Sequence, residues 1–179
     1  EELSKLIKRA KQNNSISISA EDDEYLIVKL ENGRKREFQI RLIESSQSPQ
    51  QVPKLALDSK IVIDKGVFED TLNDVGAVAD HITIETNNDE IKFIGNGDAG
   101  KAEITLNKSD EGVSEISSKV ESKATYSLQY LLSILKAIGT TAETINIEYS
   151  NKMPFKIEFR LGEVGGYINF YLAPRIDDR

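Results

Sequence analysis

Apolar positions along this chain switch between a helical period and a strand period, in an order that is used twice. Residues 1–13 carry Leu3, Leu6, Ile7 and Ala10 at helical spacing. They predict a first helix with a narrow apolar stripe, stopped by Asn13-Asn14. Period two then takes over in residues 15–20, 25–30 and 35–44. Leu26, Val28 and Leu30 alternate in the second of these strands, and Phe38, Ile40 and Leu42 in the third. Acidic residues 21–24 and the Glu31-Asn32-Gly33 turn separate them.

The same order returns near the end of the chain. Residues 126–138 predict a helix with Leu128, Leu131, Leu132, Leu135 and Ile138 on one face, closed by Gly139. Strands follow at 144–149, 155–161 and 166–172. Laid over the first unit, Ile16 falls on Ile145, Tyr25 on Phe155 and Phe38 on Ile168, within a residue or so. Between the copies, residues 60–63 predict a strand and 65–79 a helix with Val67, Phe68, Leu72, Val75 and Ala79 along one side. Strands at 81–86, 90–94, 101–107 and 117–120 come after it.

These elements predict an α+β fold with helices on one face of antiparallel sheets. Residues 58–179 form a complete domain of two such units. Residues 1–44 form the second unit of an earlier domain, so the chain is expected to lack the front half of that domain. Residues 45–57 between them are polar, hold Pro49 and Pro53 and keep no period, as an extended connector would.

Composition narrows the chemistry. The chain has 179 residues, 23 Lys+Arg against 30 Asp+Glu for a net charge of −7, with 39% hydrophobic and 30% charged residues. That balance fits a soluble chain with a core, and argues against a body coated in positive charge to grip nucleic acid. Cysteine is absent, which excludes disulfides and thiolate chemistry. One histidine, His81, excludes multi-histidine metal sites, and its position between a helix end and a strand reads as a junction residue rather than a catalytic one. No apolar run approaches the roughly 18 residues that span a bilayer, so no membrane partner is expected. The glycine-rich stretch 95–100 lacks the Lys-Ser/Thr ending of a phosphate loop and opens a strand, so it reads as a turn. No catalytic, cofactor or metal motif remains. A binding or scaffolding protein is the expectation.

Charge placement says more than charge total. Lys5, Lys8, Arg9 and Gln12 lie opposite the first helix's apolar stripe, with Lys11 beside them. The repeat-equivalent helix shows Gln129, Ser133 and Lys136, whereas the middle helix shows Asp70, Asn73 and Ala77. The lysines are either a solvated helix face or a strip that lies near phosphates in loose, salt-screened contact.

Three strings carry a family resemblance: LSKLIKRAKQNNSISISAEDD from Leu3, VPKL from Val52, and above all YLAPRIDD from Tyr171. They resemble the proliferating cell nuclear antigen family of sliding clamps, in order along nearly the whole chain. The Lys-, Glu- and Ile-rich style resembles archaeal members. The resemblance implies a subunit of two similar domains joined by a connecting loop, three of which close head to tail around duplex DNA, identical or not. It implies a non-enzymatic processivity factor without cofactor or metal, located with the nucleoid in an archaeal cytoplasm, or in a nucleus.

Lys5, Lys8, Lys11 and Lys136 would then face the DNA. Val52, Pro53, Pro154, Tyr171, Ala173, Pro174 and Ile176 would form a pocket for short aromatic-ended peptides of DNA polymerase, clamp loader, flap endonuclease and DNA ligase. The strand with Arg36, Phe38, Ile40 and Leu42 would pair with the strand holding Lys101, Ile104 and Leu106 on the next subunit. Two departures stand out: Asp70 and Asn73 replace basic residues on the middle helix, and Gln50 replaces an apolar connector residue. The first leaves open an alternative, a clamp-fold interaction scaffold that assembles without loading on DNA.

Overall fold

A computed structural model describes residues 2–20, 23–43, 55–162 and 165–176. The chain divides into two compact units, Glu1–Pro53 and Lys54–Arg179. In the first, α1 (Glu2–Ile7) precedes a meander of β1 (Ser15–Ala20), β2 (Tyr25–Glu31) and β3 (Lys35–Arg41), with β2 in the centre. Val28 pairs with Ile18 on one side and Phe38 on the other, and Val28 and Leu30 are fully buried.

The first helix is six residues long, shorter than its apolar spacing predicts. Arg9 and Ala10 bond back three residues, to Leu6 and Ile7. Asn14 then closes a separate turn: its side-chain oxygen accepts the Lys11 N–H at 2.6 Å, and its own N–H reaches the Lys11 carbonyl at 2.9 Å. An asparagine bonding locally to backbone competes with helix propagation, and here it wins. Lys8 and Lys11 therefore stand on turns beyond the helix. Leu42 likewise lies past the end of β3, its N–H held by the Glu24 carbonyl at 2.7 Å.

The second unit holds β4 (Ser59–Asp64), α2 (Lys65–Gly76), β5 (His81–Thr86), β6 (Glu90–Gly97), β7 (Gly100–Asn107) and β8 (Val113–Ser118). It continues with β9 (Ser122–Ser127), α3 (Leu128–Ile138), β10 (Thr144–Tyr149), β11 (Phe155–Leu161) and β12 (Gly166–Leu172). Two antiparallel sheets form, in the orders β12-β11-β10-β4-β8 and β7-β6-β5-β9. The helices pack into one core with both sheets. Phe68, Leu72 and Val75 from α2 and Leu131, Leu135 and Ile138 from α3 meet Ile61, Ile63, Ile82, Phe93, Ile147 and Phe155. Phe68 stacks on Phe155 at 6.2 Å between ring centroids and lies 5.9 Å from Phe93, so truncating it to alanine costs about 3–5 kcal/mol.

Both helices are shorter than their stripes predict. The middle helix ends at Gly76, with Ala77 as its cap. A Cβ on Gly97 would collide with the Val78 carbonyl, so only glycine lets β6 pass the end of α2 at backbone contact. The last helix begins at Leu128, not at Tyr126, which belongs to β9. That strand was not expected at all. Ser122, Ala124 and Tyr126 turn inward while Lys123 is exposed, and six consecutive residues pair with β5. Period two over so short a run is easily absorbed into the helical pattern that follows it. The strand expected at 117–120 runs instead from Val113 to Ser118, on the far side of β4.

Candidate functional site

Sheet order leaves particular strands with one bare edge. Among the described residues, β1 and β3 end the sheet of the first unit, and β12, β8, β7 and β9 end the two sheets of the second; β3 pairs with β2 alone and β7 with β6 alone. Along β3, Arg36, Phe38 and Ile40 are half-buried and alternate with exposed Glu37 and Gln39. Along β7, Ile104 and Leu106 pack against the core while Lys101 and Glu103 face out in a 2.7 Å ion pair. Each edge presents a row of backbone donors and acceptors, which is a template for another strand.

Lys5 is exposed on α1, Lys8 and Lys11 are exposed on the turns after it, and Lys136 is exposed in the last turn of α3. On α2, Asp70 and Asn73 are exposed, as is Ala77 at its cap, and Lys65 is tied to Glu69 at 2.9 Å within the same helix.

The expected pocket residues of the second unit converge. The β11·β12 ladder pairs Phe155 with Leu172, so Pro154 and Ala173 lie opposite each other just beyond it. Tyr171, part-exposed, pairs with Lys156, and Ile176 is 74% exposed at the end of the tail. Pro174 is half-buried. Val52 and Pro53 lie outside the described residues.

Sequence reading missed what holds this region, which is β9. The backbone N–H of Arg175 donates to the Thr125 carbonyl at 2.7 Å, adding the tail to that strand's edge. The Arg175 guanidinium lies against His81, Nη1 standing 2.9 Å from Nδ1 and 2.8 Å from Nε2. Next to Thr125, the Tyr126 hydroxyl donates to the Met153 carbonyl at 2.8 Å. Burial pushes the Tyr126 hydroxyl far above its ordinary titration range, with a smaller push from Tyr149, so it remains a donor. Lys123, Ala124, Thr125, Asn151, Lys152, Arg175 and Ile176 line an open cleft of about 430 Å³ here. No sequence signal marks Thr125 or Tyr126 for this task, because each acts on a segment far away in the chain.

Among the described residues, the chain is built of antiparallel sheets with three helices, two of them packed into the core of the second unit. The comparisons name the class. The family profile "Proliferating cell nuclear antigen, C-terminal domain" matches residues 51–175. A "DNA polymerase sliding clamp" of Nitrosopumilus maritimus is 45% identical over 177 residues, which is 99% of this chain and 70% of the relative. One from Cenarchaeum symbiosum is 40% identical over 176 residues, covering 98% and 70%. The crystal structure of PCNA from Thermococcus kodakaraensis superposes with a TM-score of 0.86 over 97% of this chain and 70% of that one. At 20% identity that match speaks to the fold alone. This chain belongs to the proliferating cell nuclear antigen family of DNA polymerase sliding clamps.

Proposed function

We propose that this chain is a subunit of a ring of three that encircles duplex DNA and tethers DNA polymerase and other replication proteins to it. The observation that carries the reading is that the chain belongs to this family and that the two strands the resemblance assigns to the subunit contact, β3 and β7, both stand at sheet edges among the described residues. Unlike edges make a head-to-tail contact, and such contacts close into a ring when the rotation permits. Processivity then comes from topology, so the DNA contact must be loose. Exposed Lys5, Lys8, Lys11 and Lys136 suit that, since point charges on phosphates exchange as the duplex moves while base-specific bonds would stop it.

Acidic α2 was the ground for a scaffold that never loads on DNA. Sequence relatives over nearly the whole chain carry the name DNA polymerase sliding clamp, which favours the loading reading. Asp70 and Asn73 then confine the phosphate contact to α1, the turns after it and α3. Polymerase, clamp loader, flap endonuclease and ligase dock short aromatic-ended peptides where Pro154 meets the Tyr171–Ile176 tail, in an archaeal cytoplasm. No step in this work requires catalysis by the clamp.

The test is the solution mass of the chain, followed by retention on nicked circular DNA against linear DNA of equal length. A trimer retained on the circle and lost from the open-ended DNA is the expected result. Equal retention on both would mean ordinary surface binding.

A further inference from the structure

The docking region has two arms from distant parts of the chain, and both rest on adjacent residues of one strand. The tail arm is fixed by the Thr125 carbonyl, through the Arg175 N–H. The other arm is the turn of residues 150–153 that leads into Pro154. Lys152 sits there with φ of 55°, in the left-handed region that a lysine occupies at a cost, so the turn depends on bonds from outside it. β9 and its approach supply them. The Lys123 N–H donates to Asn151 Oδ1 at 2.7 Å, and Asn151 Nδ2 donates to the Glu121 carbonyl at 2.9 Å.

Nearest to Pro154 stands the Tyr126 bond. The Met153–Pro154 peptide has no N–H, so the Met153 carbonyl is its sole polar group. A peptide is planar, and a donor that fixes its carbonyl fixes the plane and with it the position of the proline ring. Tyr126 is fully buried, its ring centroid 4.9 Å from that of Phe155. Phenylalanine would keep that packing. The hydroxyl is there for its bond.

We propose that Tyr126 is a positioning residue of the peptide-docking site, acting through the Met153 carbonyl to hold Pro154 opposite the tail. This rests on the docking reading given above.

Two measurements on the full chain test it. The first is isothermal titration with a synthetic Gln-x-x-Leu-x-x-Phe-Phe peptide. Tyr126→Phe should bind about fivefold more weakly than wild type, the size expected from one lost buried hydrogen bond. Thr71→Val is the control. It loses a buried hydroxyl bonded to the Val67 carbonyl within α2 rather than to the Pro154 turn, and should bind within about twofold of wild type.

The second uses Met153, the single methionine of the chain, whose labelled methyl gives one NMR signal. That signal should shift or broaden in Tyr126→Phe and stay in place in Thr71→Val. Wild-type affinity and an unmoved methyl signal in Tyr126→Phe would overturn the proposal alone. Equal weakening in both variants would overturn it too, by showing a general loss of stability. A wild-type chain that binds no peptide, or binds unchanged after Pro174→Glu, would overturn the docking reading and Tyr126's role with it.

Discussion

Arg175 lies across His81, with Nη1 within 2.9 Å of both ring nitrogens, while its backbone N–H is bonded to Thr125. One residue thus fastens the tail twice: by its backbone to β9, and by its side chain to the first residue of β5, which pairs with β9 at Ser127. The lone histidine is a strut for the tail.

Arg175→Ala and His81→Ala should each weaken peptide binding about threefold, from partial release of the tail. Because both remove the same contact, the double variant should lose little more than either single one. Additive losses in a double-mutant cycle by titration would show that the two side chains act separately.

Lys5→Glu with Lys8→Glu should weaken loading on DNA at low salt and leave the oligomer's mass unchanged. Each lysine removed from a phosphate should lower the slope of log affinity against log salt by about one. If loading at low salt is untouched, these lysines are an ordinary solvated face.

Successive N–H groups of an edge strand point alternately to its partner and outward. Proline at Ile104 and at Thr105 should therefore differ. The one that removes the outward N–H should lower the oligomer's mass while the fold persists. The other should break the ladder to β6 and destabilise the unit by about 3 kcal/mol or more. Circular dichroism with light scattering separates them, and a trimer surviving both would rule out β7 as the contact edge.

Glu115 on β8 accepts a 2.7 Å bond from Lys60 on β4. That bond holds the Glu115 carboxyl below its ordinary value of 4.5, with help from Ser117. A value depressed in the folded state adds stability that is complete above pH 4.5 and lost as pH falls through the folded value. Both side chains are close to half exposed, at 48% and 40%, so the pair contributes only about 0.2–1 kcal/mol. Glu115→Gln should melt slightly below wild type at pH 7 and together with it at pH 3. A gap that persists at pH 3 would place the effect elsewhere.

Local period was enough for most of the elements. Leu128, Leu131, Leu135 and Ile138 are all buried on the face of α3 that their spacing marks, and the three strands after α3 run between the expected residues. The two meanders were legible for the same reason, since β1-β2-β3 and β10-β11-β12 are adjacent antiparallel runs whose alternation needs no knowledge of neighbours. The first helix was overestimated because spacing records which face a helix would show and ignores a competitor such as Asn14.

Tertiary structure alone decided the sheet order and what holds the proposed docking region. Sequence reading could name β7 as a strand, but its edge is open because β8, next in the chain, pairs with β4 fifty or more residues back and not with β7. Pro154 and the YLAPRIDD string were visible as residues. What brings them together is the β11·β12 register, and what holds them is Thr125 and Tyr126 on a strand the alternation pattern did not reveal. A hydrophobic period reports each residue's relation to its own helix or strand. A hydrogen bond between Tyr126 and Met153 depends on how the chain returns, and no local pattern records that.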